Sequence, residues 1–310
     1  MDEPLKIPKE PSHGGRFHNG LYFTSAARRG LFHLLKHSAL LGSRQHILLP
    51  AYIGITEREG SGVLDPIIEA GWTHDFYPLS PDLSPADGLD KLLVAEPGAA
   101  LLVIHYFGWP VHEIGKLADR CRAEGRMLFE DCAHVLHDYG SAIGSYGDGA
   151  IWSIHKTLPV NSGGIVKWSG YAQWVEVTAD TMSQDVIVTM CHTDLSAVAD
   201  QRRRNFDQLF ARLEGSGCQL RWQPGDHTAL NMPLLVPQGV DRFELYKRLI
   251  QREVGVVALY YRLVDEIDIE QHPVSKEIMR RILNLPIHQD LGHREIEFIA
   301  ETFLTELNAA

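Results

Sequence analysis

Three residues in the middle of the chain, Asp131, Ser153 and Lys156, have types and an order that suit one kind of chemistry. A lysine reacts with carbonyls only while its amine is unprotonated, which requires burial or a neighbouring cation. Lys156 is surrounded by Ile154, Leu158, Pro159 and Val160, with His155 its only adjacent titratable group, so the local sequence allows burial. A lone lysine is more often a surface charge; an acid and a hydroxyl nearby shift the balance. If Lys156 carries an aldehyde cofactor, Ser153, three residues earlier, can reach the cofactor's phosphate from the same loop. Asp131 can then hold the far end of the ring, keeping a pyridinium nitrogen protonated and strengthening the ring as an electron sink.

These side chains need elements to hold them. Asp131 follows the run 126–129, which predicts a short buried strand that delivers its carboxylate to the carboxyl end of a sheet. Open α/β sheets keep their ligands there. The stretch 150–154 predicts a second strand just before Lys156, and Gly163-Gly164 opens a third at Ile165-Val166. Upstream, 46–50, 73–77 and the continuous apolar run 99–105 read as strands, the last buried on both faces as in a parallel sheet. Helices are expected at 26–36 behind Thr24-Ser25, in a segment ending near Ala70, and at 110–124 with Ile114, Leu117, Ala118 and Cys121 on one side. A helix start such as Thr24-Ser25-Ala26 is also an anion site, because its free N–H groups and dipole favour phosphate. Strands alternating with helices imply right-handed crossovers and a largely parallel sheet.

After Val166 the pattern changes. Residues 169–200 are amphipathic but irregular, and 197–213 is a charged helix containing Arg202, Arg203 and Arg204. Strand-like runs at 230–236 and 254–260 flank a helix at 242–252, and a run at 282–288 precedes a final helix at 293–307. The expected organisation is an N-terminal arm over residues 1–20, a large α/β domain over 21–200 and a smaller α+β domain over 201–310.

Composition narrows the classes. The 310 residues are 45% hydrophobic, enough for a sizeable core, and the formal charge of -11 argues against nucleic acid or an anionic membrane as partner. Cys121, Cys132, Cys191 and Cys218 are scattered, as free thiols in a reducing compartment would be. The first fifteen residues are polar with three prolines, unlike a signal peptide, and no apolar run reaches transmembrane length, so a cytoplasmic location is expected. His134 and His137, with Asp131 and Asp138, raise the possibility of zinc, but without HExxH, CxxC or a third ligand at fixed spacing no metal is expected. Gly140, Gly144, Gly147 and Gly149 do not open a helix after the first strand, so they read as turns rather than a dinucleotide loop. No GxSxG elbow is present.

Two stretches carry a family resemblance. Glu130-Asp131-Cys132-Ala133-His134 is similar to an acid-x-Ala-Gln/His motif, and residues 153–164 to a serine, a cofactor-bearing lysine and a glycine pair at matching spacing, as found in the DegT/DnrJ/EryC1/StrS family of sugar aminotransferases. Pro50-Ala51-Tyr52, His105-Tyr106-Phe107-Gly108 and Leu285-Pro286-Ile287-His288 resemble further landmarks of that family, from about Phe23 onward. The resemblance implies an α/β, aspartate aminotransferase-like (fold-type I) three-layer αβα large domain with a mostly parallel sheet, a smaller C-terminal α+β domain, pyridoxal 5'-phosphate as cofactor, and a homodimer. It implies amino transfer from a donor such as glutamate to a keto sugar or related ketone. Residue by residue, it implies that Lys156 bears the cofactor and shuttles protons, Asp131 meets the pyridinium and His134 lies near the phenolic oxygen. Ser153, Ser25 and Ala26 would hold phosphate. The family's usual ring-stacking position falls near Gly54, and Tyr52 is the aromatic expected to stack instead. The chain departs from the family at Thr24-Ser25-Ala26-Ala27, where Gly-Thr is usual, and after Gly164, where the segment is shorter and lacks a Gly-x-Asn-x-Arg sequence. Lyase, racemase or decarboxylase chemistry on the same cofactor stays open, as does a protein that kept the fold without catalysis.

Overall fold

The apolar runs form the spine of one sheet. In the computed structural model, which describes residues 20–137, 142–169 and 180–309, seven strands lie in the order β1-β7-β6-β5-β4-β2-β3. They are β1 Leu21–Thr24, β2 His46–Pro50, β3 Thr73–Tyr77, β4 Ala100–Ile104, β5 Leu128–Asp131, β6 Gly149–Ser153 and β7 Gly164–Trp168. Strands β3, β2, β4, β5 and β6 pair in parallel, while β7 runs antiparallel to both β6 and β1. Every residue of β2, β4, β5 and β6 is buried, and β4 is apolar throughout, as burial on both faces requires. Four helices, α1 Ala27–Leu40, α2 Leu64–Glu69, α3 Gly88–Ala95 and α4 Ile114–Ala123, alternate with the strands.

Helix α1 lies on β6 and β7 and buries Leu31, Leu34 and Leu35. Its start is pressed against β7 at the glycine pair. Gly163 takes a φ of +108°, a conformation L side chains rarely adopt, and a Cβ on Gly164 would sit 2.4 to 2.7 Å from backbone atoms of Ala26 and Ala27. The pair therefore sets how closely the helix start approaches the turn that carries Lys156.

The second half adds α5 Gln184–His192, α6 Leu195–Leu213, β8 Met232–Leu235, α7 Arg242–Gln251, α8 Pro273–Arg281, β9 Ile282–Leu285 and α9 His293–Asn308. Strands β8 and β9 form an antiparallel pair. A second apolar core gathers Phe206, Leu209, Leu249, Leu283 and Phe303 beside them. Asp194 caps α6 by accepting from Ala197 N–H, and Asp241 caps α7 through the N–H groups of Phe243 and Glu244. Among the described residues no helix is long and apolar enough to cross a membrane.

Several expectations are revised. Helix α6 runs unbroken through the domain boundary expected at residue 200. Val198 and Ala199 join the core beside β6 and β7, while Phe206 to Leu213 supply the second core. The run 254–260 is not a strand: it makes one bridge, Val257 to Asn284, and then turns. Strand β1 and helices α3 and α8 were not expected; α8 starts at Pro273, and its charged residues mask the buried Ile278. Up to residue 19, the expected N-terminal arm lies outside the described residues, as do Asp138 and Gly140.

Candidate active site

The carboxyl ends of the parallel strands open onto a cavity of about 240 Å³ whose walls include Asp131, Ser153 and Lys156. The three come from the ends of β5 and β6, adjacent and parallel, so the acid and the lysine emerge side by side. A larger cavity of about 610 Å³, beside Phe23, Ile187 and Leu195, has mainly apolar walls and lacks the acid and lysine.

Asp131 ends β5 and is buried. Its Oδ1 accepts from the Ala133 N–H at 2.8 Å, and among the described residues the carboxylate makes no other hydrogen bond. Burial pushes its pKa up; Lys156 and the Ala133 N–H pull the other way without overcoming it. Lys156 closes a single 3-10 turn, Ile154–Lys156, after β6. Burial lowers the pKa of its amine, opposed by Asp131 and reinforced by Arg28. Part of the side chain remains open to the cavity, so the amine is desolvated yet reachable. The turn is held from two sides. Ile154 N–H donates to the Gly163 carbonyl at 2.9 Å, and the Thr157 carbonyl accepts from Arg202 Nη2 at 3.2 Å and Gln289 Nε2 at 3.3 Å.

The other wall positions His134. Its Nδ1 accepts the Phe107 N–H at 3.1 Å, so in the neutral ring Nε2 carries the hydrogen and donates to the Tyr260 hydroxyl at 3.2 Å. Burial holds its pKa well below the usual histidine value, and Lys156 adds to the effect. Phe107, which stacks on the His134 ring, takes a left-handed φ of 59°, a conformation that turns its N–H to the imidazole. Both ring nitrogens of His134 are thus engaged in hydrogen bonds.

Beneath the site, His105 Nε2 donates to Glu130 Oε2 at 3.0 Å, and the Glu130 carboxylate also accepts the N–H groups of Gly144, Tyr146 and Gly147. These bonds fix the turn that the glycines suggested. They also occupy Glu130, the central member of the one His/Glu/Cys group beside the site, His105, Glu130 and Cys132.

At the opposite end α1 begins. Its N-cap, Ala26, offers no side-chain cap, and Ala26, Ala27 and Arg28 line the cavity with Ser153, whose Oγ lies 3.1 Å from His155 Nδ1. Arg28 lines the same end, with Nη1 donating to the Glu59 carbonyl at 2.7 Å. Among the described residues Ser25 meets this region through its backbone: its carbonyl accepts from Gly163 N–H at 2.8 Å and its N–H donates to the Asp180 carbonyl at 2.6 Å. Sequence reasoning missed Arg28, although a cation in the first turn of an uncapped helix was a signal that could have found it.

Tyr52 is not in the cavity wall, which corrects its expected stacking place. It is fully buried, and its hydroxyl bonds the carbonyls of Leu259 and Tyr260 at 3.0 and 3.2 Å and accepts the Tyr260 N–H at 2.7 Å. Tyr260 is the aromatic that lines the cavity.

Residues 90–170, which carry the acid, the serine and the lysine, match the model of the DegT/DnrJ/EryC1/StrS aminotransferase family. The resemblance read from the DegT-type motifs is thus borne out. A 4-aminotransferase of dTDP-4-dehydro-2,3,6-trideoxy-D-glucose from Saccharopolyspora spinosa is 23% identical over 253 residues, covering 66% of this chain and 64% of that protein. The chain thus spans about two thirds of this curated relative's length. The aminotransferase TlmJ from Streptoalloteichus hindustanus superposes with a TM-score of 0.72 at 24% identity, over 94% of this chain and 86% of that one. The pyridoxamine-phosphate form of Spr1654, a sugar aminotransferase-like protein from Streptococcus pneumoniae, gives 0.75 at 15% identity, over 93% and 88%. The mostly parallel sheet is accordingly that of the fold-type I, DegT-type structures.

Proposed function

We propose that the protein is a pyridoxal-phosphate-dependent aminotransferase that moves an amino group from an amino acid such as glutamate to a keto sugar or related ketone. The observation that carries this reading is a buried acid and a desolvated lysine at neighbouring strand ends, facing an uncapped helix start. Among the described residues no cation is bonded to the buried Asp131, so a protonated ring nitrogen suits its charge. The lysine's lowered pKa favours the neutral amine that an aldehyde requires. The helix start, Ser153 and Arg28 suit a phosphate. A cavity of about 240 Å³ falls just below the range of roughly 300–1,000 Å³ that holds drug-sized ligands, which suits a single-ring cofactor.

Pyridoxal phosphate, when bound, supplies an aldehyde and an electron-withdrawing protonated ring. The chain supplies the rest. Asp131 holds the proton on the ring nitrogen. His134, kept neutral, offers its Nε2 hydrogen to a phenolic oxygen; its 3.2 Å contact with Tyr260 is long enough to yield to a charged acceptor. The α1 start and Ser153 fix the phosphate, which orients the ring. Nζ of Lys156 takes a proton from the donor's α-carbon and later returns one, the base and acid of the transfer. The keto-sugar acceptor is supported by the named activity of the Saccharopolyspora spinosa relative. Two domains sharing α6, and a homodimer in a cytoplasmic setting, complete the proposal.

The visible spectrum of purified protein with pyridoxal phosphate tests this reading. A band from lysine-bound cofactor should appear, convert to the amine form with glutamate or another amino donor, and return on adding a keto acceptor. A band that no amino donor converts would overturn amino transfer. Lys156→Ala should remove the band and turnover together; an active variant that keeps the band would overturn the role of Lys156.

A further inference from the structure

Tyr260 and Gly54 fit each other as ring and vacancy. A Cβ added to Gly54 would meet the Tyr260 ring at Cδ1, Cγ and Cε1, at 2.0, 2.4 and 2.7 Å. The ring therefore lies against the α-carbon of residue 54, in the space a side chain there would fill. Both residues line the cavity with Asp131, His134 and Lys156. The arrangement is fixed by backbone as well as by packing. Val264 N–H donates to the Ile53 carbonyl at 3.0 Å and Ile55 N–H to the Arg262 carbonyl at 3.3 Å, while the Tyr52 hydroxyl clasps residues 259 and 260. The adjacent Tyr261 is exposed and turns toward the Arg242 guanidinium, 5.7 Å from its ring centre, so only one of the two tyrosines serves the cavity.

We infer that Tyr260 is the aromatic platform for the cofactor ring, supplied from the C-terminal half, and that residue 54 is glycine to make room for it. The inference rests on reading the cavity as a pyridoxal-phosphate site. A flat, electron-poor ring gains from an aromatic face, and a tyrosine gives that face at little conformational cost. Without a ligand its hydroxyl accepts from His134 Nε2, and burial keeps the phenol protonated. The platform and the histidine beside it are thereby linked into one wall.

Equilibrium binding of pyridoxamine 5'-phosphate, which forms no bond with Lys156, measures the platform without turnover. If the wild type does not bind it, the reading of the site as a pyridoxal-phosphate pocket fails. Given wild-type binding, Tyr260→Leu should weaken it about tenfold, and Tyr260→Phe should stay near wild type. Gly54→Phe alone should lose binding because the cavity has no room for two rings. Gly54→Phe with Tyr260→Gly should regain binding, since the ring has moved from one position to the other. Wild-type affinity in Tyr260→Leu overturns the inference. If that variant does not fold, a folded exchange variant that fails to bind overturns it instead, as does a Gly54→Phe protein that binds normally.

Discussion

At the scale of single residues, the site is assembled from groups that are uncomfortable on their own. Asp131 has one hydrogen bond among the described residues and a raised pKa, so the folded protein without ligand holds its proton more tightly than the unfolded chain does. Stability charged to this group is therefore lost as pH rises through its titration. Asp131→Asn should stabilise the unloaded protein at neutral pH by on the order of 1 kcal/mol, and the gain should vanish at acid pH, where the wild-type carboxyl is protonated. Thermal melts across pH check this. The same variant should lose about two to three orders of magnitude in turnover, which identifies the discomfort with function. Asp131, Ser153 and Lys156 were legible in the sequence because each follows a strand or turn whose apolar residues mark it. Tyr260 was not, because nothing local says that a tyrosine two hundred positions downstream replaces a side chain missing at Gly54.

At the scale of elements, the close contact between the start of α1 and β7 is the feature that brings the helix start, the proposed phosphate end, to the lysine. Gly164→Ala would drive a methyl group into the Ala26–Ala27 backbone. The expected cost is about 1–3 kcal/mol, read from denaturant midpoints. The helix start should also shift, so affinity for pyridoxal 5'-phosphate falls while affinity for phosphate-free pyridoxal changes little. Equal losses for both ligands would separate a general loss of structure from this local one. Strand β4 could be read directly, since burial on both faces leaves Ala100–Ile104 with no polar residue. The 254–260 run was misread because its apolar residues pack one by one into the second core and the cavity wall, a pattern that mimics strand alternation although only Val257 bridges, to Asn284. Helix α8 was missed because its Lys276, Glu277, Arg280 and Arg281 outweigh the single fully buried Ile278.

At the scale of the molecule, Glu130 links the sheet, the 144–147 turn and His105 in one buried network. Burial works to raise its pKa, but the His105 hydrogen bond and the N–H groups of Gly147 and Gly144 outweigh it, and the pKa lies below the ordinary value of 4.5. The unfolded chain thus binds the proton more readily, so Glu130 contributes stability above the ordinary carboxylate range and loses it as pH falls through its lowered pKa. Glu130→Gln should cost about 3–5 kcal/mol near neutrality and flatten the acid limb of stability measured against pH; an unchanged acid limb would contradict the network's role. The domain division could be read only coarsely, because α6 gives Val198 to one core and Phe206 to another within a single helix.

The clasp between the Tyr52 hydroxyl and residues 259–260 joins positions more than two hundred apart in the chain. A chain leaving the ribosome displays Asp131 and Lys156 long before Tyr260 has been translated, so the pocket has no complete wall while the first half is folding. Capture of the proposed cofactor would then fall at the end of biosynthesis, and the appearance of colour in a translation reaction would time the docking of the last part of the polypeptide.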